Sequence, residues 1–429
     1  MKKLIPQAIK NIYHLFRAIL ANVWYGFPSR KLKVIGVTGT NGKTTTVQMI
    51  AKILEKAGYK IAVASTINFK IIKKEWVNKS KFTTLSSWSL QKFLKQAVRA
   101  GCEYAVIEVS SHSLDQNRAR GVDFDVAVIT NVTREHLDYH ETMEEYAKAK
   151  EKLFHSVSKK VEGAFVVNLN MEFADVFLQY GAKNKFGYFL ESQSPNGAVD
   201  QGLKMEVARG ISHSIDGSQF LINGEKFRMN LPGEFNIENA LAATCVGLSQ
   251  NIPIEKISAA LSNIEGVPGR MEKIENSRDL NIIVDYAVTP DSLEKLYSYL
   301  NGIKKDGSKI IAVFGSCGQR DRGKRPIMGE IVAQHADFCI VTNEDPYHED
   351  PQQIIAEVFA GVEVRKKENE NAWRILDRRE AIKKALQIAK PGDIVVVTGK
   401  GAEEAMAVGD KRIPWNDPKV IREILREPR

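Results

Sequence analysis

The chain has 429 residues, enough for two or three domains that each bury a core. Apolar residues make up 43% and charged residues 26%, a balance that excludes a disordered or fibrous chain. The formal net charge is +9, but no basic run is interleaved with aromatics; this argues against a nucleic-acid partner and suits an acidic, phosphate-bearing substrate.

The first predicted element is "IYHLFRAILANVWYGF", residues 12–27, an amphipathic helix ending near Gly26-Phe27-Pro28. It carries His14 and Arg17 and lacks a signal-peptide cleavage pattern. Docking on the body of the protein is the reading; contact with a membrane surface is the less favoured alternative. No stretch reads as a membrane span.

"KVIGVTGTNGKTTTVQMIAKIL", residues 33–54, follows. It reads as a strand, a Gly-rich turn and a helix, the layout of a phosphate-binding loop. The strict pattern G-x-x-x-x-G-K-[ST] fails by one position, because Val37 stands where the first Gly belongs. Backbone N–H groups from Gly39, Thr40, Asn41 and Gly42 to Thr45 would cradle phosphate oxygens. Lys43 would add a point charge, and the Thr44 hydroxyl reaches Mg²⁺.

Strands and helices then alternate through "KIAVAS", "YAVIEVSS" and "VAVITNV", the pattern of a mostly parallel sheet. Ligands of such sheets bind beyond the carboxyl ends of the strands. Glu108, at one such end, is placed as a carboxylate for Mg²⁺. Ser110, Ser111, His112, Gln116 and Arg118 follow it and suit a polar substrate. "REHLDYHETMEEYAKAKEKLF" offers His136, Asp138, His140 and Lys150; as a zinc motif, H-x-D-x-H without further ligands is weak.

Beyond about residue 160, "GAFVVNLN", "KMEVARGI" and "SQFLINGEKFRMNLPG" read as shorter, partly antiparallel strands. "FNIENALAATCVGLSQ" reads as a helix with Ile237, Ala240, Leu241 and Cys245 on one apolar face. "EGVPGRMEKI", residues 265–274, reads as a junction before a second α/β series. In that series "GSCGQRDRGKRP" is a strand followed by an Arg-rich loop suited to carboxylate or phosphate. Cys102, Cys245, Cys317 and Cys339 are never in C-x-x-C spacing, which suits a reducing cytoplasm.

The expected fold is therefore α/β: a central P-loop-type parallel sheet domain, then a smaller Rossmann-like C-terminal domain. The expected boundaries are 1–32 for the N-terminal helix, 33–268 for the central domain and 269–429 for the C-terminal one.

"GVTGTNGKTTT", "EVSSHSLDQNRARG", "TNVTREHLDYHETMEEYAKAKEKLF", "LPGEFNIENALAA", "GVPGRME", "DYAVTPDSLE", "GSCGQRDRGKRPIMG" and "GKGAEE" occur in the order found in the Mur ligases. The chain resembles that family, in the branch that adds the third amino acid of the peptidoglycan stem. The resemblance implies an ATP-dependent amide ligase. ATP would phosphorylate the carboxylate of UDP-N-acetylmuramoyl-L-alanyl-D-glutamate, and an amino acid would displace phosphate from the acyl phosphate.

It further implies that the loop form T-G-T-N-G-K-T replaces the strict pattern. By the same resemblance Thr44 and Glu108 serve one Mg²⁺, His136 a second, and Lys150 is carbamylated. Thr83, Thr84, Ser111, Gln116 and Arg118 would hold the acceptor. Asn236 and Asn239 would face the adenine, Arg270 and Asp285 would contact ATP, and Glu403 would lie by the amino acid.

Five departures qualify the resemblance. The family's form has about a hundred residues before the loop, as a uridine-binding domain, and about thirty stand here; UDP recognition is expected to differ, or the acceptor to be lipid-linked. Val288 and Ala402 stand where the family has His. Tyr347 in "NEDPYHEDP" replaces the Arg that would grip the far carboxylate of diaminopimelate, so that amino acid is not supported. Leu85 alters the segment after Thr83-Thr84. Two alternatives stand beside the main reading. One is a related ligase on another carboxylate acceptor, lipid-linked or folylpolyglutamate-type. The other is a non-catalytic nucleotide-binding scaffold, which the retention of Lys43, Thr44, Glu108, His136 and Lys150 disfavours.

Overall fold

The structure, a computed structural model, describes residues 7–80, 82–193, 195 and 202–427. The chain opens with α1 (Gln7–Trp24), then β1 (Lys33–Thr38), α2 (Lys43–Lys56), β2 (Ile61–Ala64), β3 (Asn68–Ile71), β4 (Lys74–Val77) and α3 (Ser87–Arg99). β5 (Tyr104–Glu108), α4 (Ser111–Asp115), β6 (Val126–Ile129), α5 (Leu137–His140), α6 (Met143–Val157), β7 (Ala164–Asn168) and α7 (Ala174–Leu178) follow. β8 (Asn184–Leu190), β9 (Leu203–Ser214), β10 (Gly217–Ile222), β11 (Glu225–Met229), α8 (Glu234–Ser249) and α9 (Ile254–Leu261) complete the first unit.

Among the described residues these strands form one eleven-stranded sheet, in the order β11-β10-β9-β8-β7-β6-β1-β5-β2-β3-β4. β1 lies between β5 and β6, parallel to both. All five residues of β5 are buried, and all but Lys33 of β1. That is why these strands read as unbroken apolar runs: helices cover both faces. α2 and α8 pack with one face of the sheet, and α3 and α6 with the other.

The expected partly antiparallel pairing is present: β7, β8 and β9 continue the parallel sheet, and β10 runs antiparallel to β9 and β11, as β3 does to β2 and β4. Two sequence expectations are corrected here. β9 is long, at 12 residues, not short. And α8 is buried from Asn236 to Gly247 on every side, not along one face. Small residues at Ala240, Ala242, Ala243 and Gly247 let it sit that deep.

The second unit contains β12 (Glu272–Ile274), β13 (Asn281–Asp285), α10 (Pro290–Ile303), β14 (Ile310–Phe314), α11 (Lys324–His335), β15 (Phe338–Thr342) and α12 (Pro351–Val362). β16 (Ala372–Ile375), α13 (Arg378–Ile388), β17 (Ile394–Thr398), β18 (Ala405–Val408), β19 (Lys411–Pro414) and α14 (Asp417–Arg426) end the chain. Its six-stranded sheet has the order β12-β13-β17-β14-β15-β16, parallel except for β12. Separate apolar clusters cover its two faces. The carboxyl end of β13 faces the loop after β1: Asn41 Nδ2 donates to Thr289 Oγ1 (3.2 Å) and Asp291 Oδ2 (2.9 Å) at the start of α10.

Candidate active site

The loop between β1 and α2 is held by its neighbours as well as by glycine. Thr130 Oγ1, just beyond β6, donates to Asn41 O (2.6 Å), and the Asn41 N–H donates to Asn131 Oδ1 (2.9 Å). Gly42 takes φ +82°, and a Cβ there would stand 2.2 Å from Asn239 Oδ1. The loop is therefore built against α8. Thr46 Oγ1 donates to the same Asn239 oxygen (3.2 Å), and Asn239 Nδ2 donates to Asn236 Oδ1 (3.4 Å).

Lys43 Nζ donates to Gly39 O (3.0 Å) and Thr40 O (2.8 Å). Burial holds its pKa below the usual lysine range, with Glu108 opposing. Thr44 Oγ1 donates to both carboxylate oxygens of Glu108 (3.1 and 3.0 Å), and the Thr66 N–H and hydroxyl donate to the same group (2.8 and 2.9 Å). Arg270 comes from the second unit and donates from Nη2 to Thr44 Oγ1 (3.4 Å), with its guanidinium 4.5 Å from the Tyr286 ring. Asp285 accepts from the Met271 N–H (2.8 Å), and burial raises its pKa. A cleft lined by Asn41, Thr45, Asn236, Asn239, Arg270 and Asp285 runs from the loop toward α8 and α10. All six are expected nucleotide contacts, and Asn41 is also bonded to the start of α10.

On the other side of Glu108 lie the residues expected to hold an acceptor. Thr84 Oγ1 donates to Glu108 O (3.0 Å), Arg118 Nη1 donates to Thr84 O (3.1 Å), and Ser111 Oγ is 3.1 Å from His140 Nε2. Gln116 caps α4, whose side chains face Tyr139. Thr83 is half-buried beside Thr84. Glu403 is bonded to the buried Lys400, which also donates to Asp345 (2.8 Å). Glu403 lies in a second cleft with Arg270, Tyr286, Asn78 and Arg412, which spans both units.

Lys150 is buried, with Nζ 4.0 Å from the centre of the Tyr146 ring. Burial, reinforced by the Lys43 charge, drives its pKa well below the usual lysine range. That shift favours the uncharged amine, the form able to add carbon dioxide. His136 sits at positive φ (58°) between Glu135 and the His112 ring, with ring centroids 4.6 Å apart. Burial keeps it neutral, and His112 reinforces this.

The sequence reading missed several members of the site. Glu135 is buried and binds Lys324 of α11 through both oxygens (2.9 and 3.0 Å), and Lys324 also donates to Val288 O (2.9 Å). Glu135 directly precedes His136, and Lys324 lies in the Arg-rich "RGKRP" loop, so each stood beside a residue already singled out. Thr66, Asn131 and Tyr146 had no local signal, because their neighbours arrive from distant strands. Val288 contributes its carbonyl, so the exchange of His for Val leaves that contact in place.

Among the described residues, no group of three or more His, Cys, Asp or Glu side chains is placed to hold a metal. The H-x-D-x-H spacing of His136, Asp138 and His140 therefore carries no zinc arrangement. The Thr44–Glu108 oxygen pair fits Mg²⁺, which takes one or two protein oxygens and fills its shell with phosphate and water. Lys150 offers an oxygen only as a carbamate.

A phosphate-type loop at the carboxyl edge of one parallel sheet, capped by residues of a second, defines a two-unit α/β protein with its site between the units. The chain matches the Mur ligase middle domain over residues 37–247 and the Mur ligase, glutamate ligase domain over residues 269–401. It is 40% identical over 413 residues to the UDP-N-acetylmuramoyl-L-alanyl-D-glutamate–2,6-diaminopimelate ligase of Syntrophomonas wolfei, covering 95% of this chain and 81% of that one. It is 39% identical over 427 residues to the UDP-N-acetylmuramyl-tripeptide synthetase of Roseiflexus, covering 96% and 82%. A solved UDP-N-acetylmuramoyl-L-alanyl-D-glutamate–2,6-diaminopimelate ligase superposes with a TM-score of 0.61 at 32% identity, over 92% of this chain and 78% of that one. The folylpolyglutamate synthase of Mycobacterium tuberculosis shares the fold, with a TM-score of 0.71 at 17% identity over 90% and 92%. The chain belongs to the Mur ligase family and is a ligase of peptidoglycan precursor synthesis.

Proposed function

We propose that the chain couples ATP cleavage to the joining of an amino acid to the terminal carboxylate of UDP-N-acetylmuramoyl-L-alanyl-D-glutamate. The observation that carries this reading is the convergence on Thr44 and Glu108. Lys43 and Arg270 arrive on one side, and Thr84, Ser111 and Arg118 on the other. A phosphate donor and an anionic acceptor can meet there.

A carboxylate is a poor electrophile, and phosphorylation gives it a leaving group. Lys43 and Arg270 offset charge on the transferring phosphoryl, a task of positioning and electrostatics. Asn236 and Asn239 orient the base, while Arg118, Gln116, Ser111, Thr83 and Thr84 orient the acceptor. The amino acid enters beside Glu403 and attacks the acyl phosphate, releasing phosphate. Thr44 and Glu108 would hold one Mg²⁺, and His136 with carbamylated Lys150 a second; the metal supplies positive charge to the phosphate oxygens. In this reading residues 33–268 bind ATP and acceptor and residues 269–429 bring the amino acid and close the site. The reading carries a cytoplasmic location, where ATP is supplied.

The test is amino-acid-dependent phosphate release with ATP, Mg²⁺ and UDP-N-acetylmuramoyl-L-alanyl-D-glutamate, across L-lysine, meso-diaminopimelate, ornithine and the other common amino acids. A product one amino acid heavier by mass is expected. Silence across the panel, with ATP still bound, would overturn the acceptor and leave a ligase for a different carboxylate.

A further inference from the structure

α1 has two faces, and its docking uses one. Ala18 and Ala21 are fully buried against the body, Asn11 Nδ2 donates to Asp115 Oδ2 (3.3 Å), and Gln7 Nε2 donates to Tyr139 OH (3.1 Å). On the opposite side Ile12, Tyr13, Phe16, Leu20, Val23 and Trp24 are all exposed, Phe16 by 63% and Trp24 by 76%. At about 100° per residue these six fall within roughly 120° of arc, one continuous stripe. We propose that this stripe lies on the surface of an anionic lipid bilayer.

Charge is what selects that occupant. No Asp or Glu occurs before Glu55, whereas Lys10, Arg17, Arg30, Lys31 and Lys33 do. Lys10 and Arg17 fall on one flank of the stripe, where a long side chain can reach headgroups while its stem lies on apolar surface. α3 packs beside α1 and adds Lys92, Lys95 and Arg99, again without a carboxylate. Trp24 stands edge-on to Trp88 (6.4 Å) and forms an aromatic rim at the end of the stripe. Aromatic rims and basic flanks around an apolar face are the features of a helix that lies in the headgroup plane.

Spanning is excluded by the helix itself: among the described residues none is long and apolar enough to cross. A second copy of the chain fits poorly. Antiparallel pairing of two α1 stripes would bring Arg17, near the helix centre, close to its own symmetry mate. Because α1 touches Asp115 and Tyr139, the bilayer would lie beside the acceptor side of the site.

The test is cosedimentation of the full chain with vesicles of phosphatidylcholine containing about a third phosphatidylglycerol, against phosphatidylcholine alone. Binding is expected to the anionic vesicles and to weaken at least about tenfold on neutral vesicles or in about 0.5 M salt. Phe16→Ser with Leu20→Ser should lose it at an unchanged melting temperature, since neither side chain serves the docked face. In the unaltered chain, lipids brominated on their acyl chains should quench fluorescence, and Trp24→Phe should remove most of that quenching. No binding to anionic vesicles, or equal binding by the double variant, would overturn the proposal. So would a dimer that the double variant dissociates while vesicles bind neither form.

Discussion

Burial decides the chemistry of Lys150. An exposed lysine is mostly protonated, whereas burial lowers the pKa of this one and favours the uncharged amine that can add carbon dioxide. If its carbamate is needed, Lys150→Ala should lower turnover by about two orders of magnitude or more, with partial recovery on adding formate or acetate. Full activity in the unrescued variant would remove Lys150 from the mechanism. Tyr347 is the second residue whose identity carries a prediction. It sits at positive φ (52°) under the Arg320 guanidinium, close enough to Glu403 for the carboxylate to bear on its hydroxyl. A phenol cannot make the bidentate grip of a guanidinium. Tyr347→Arg should therefore raise kcat/KM for meso-diaminopimelate by about tenfold or more over the native chain. No gain, measured side by side with L-lysine, would show that this position does not read the far carboxylate.

Two elements carry predictions of their own. In the loop, Gly42→Ala adds a Cβ where the backbone is left-handed and Asn239 is in the way. ATP affinity should fall by about tenfold or more with the melting temperature little changed; unaltered ADP binding by calorimetry would mean the loop can yield. The second element is the pair of short helices α4 and α5, which brings His112 within 5.4 Å of His140 and 4.6 Å of His136. Burial pushes His112 down to about 3 and His140 down to about 4, from 6.5. Below pH 6.5 the unfolded chain gains protons that the folded one refuses, so stability is full above that pH and falls on acidification. His112 alone sets a slope of at most about 1.4 kcal/mol per pH unit. Urea midpoints should drop from pH 7 to pH 5, and less steeply in His112→Gln; parallel curves would exclude the histidine.

How far the sequence could be read differs between these two elements. Strand, turn and helix around Lys43 lie within twenty-two consecutive residues and were visible at once. The histidines meet only because α4 and α5, far apart in the chain, pack together; in the sequence, H-x-D-x-H was a weak zinc motif, and among the described residues no group of three or more His, Cys, Asp or Glu side chains is placed to hold a metal. α8 misled for a related reason: a helix buried all round shows no polar face, and its small residues passed for the edge of a stripe. Likewise β9 joins the parallel sheet because β8 offers it an edge, which no local pattern in "KMEVARGI" announces.

At the scale of the whole molecule, the two sheet units are joined across the site. Lys324 of one unit and Glu135 of the other form a buried ion pair, and Arg412 Nη1 donates to the carbonyl of Lys79 (2.7 Å). Breaking a buried pair from one side leaves an uncompensated charge, at a cost of about 3–5 kcal/mol. Lys324→Ala should therefore open the molecule, seen as a larger radius of gyration by X-ray scattering, and lower kcat. Lys324→Met with Glu135→Leu should close it again in part. A compact single variant would show that the pair holds nothing.

The same ion pair bears on fidelity. Under the proposed mechanism the acyl phosphate is an activated species that water destroys, so each turnover would be a race between the incoming amine and hydrolysis. What biases that race is how long the two units stay shut. Loosening Lys324 from Glu135 would then do more than slow the reaction: it would spoil the stoichiometry. More phosphate would be released for each peptide bond formed, and the chain would drift from a synthetase toward an idle ATPase.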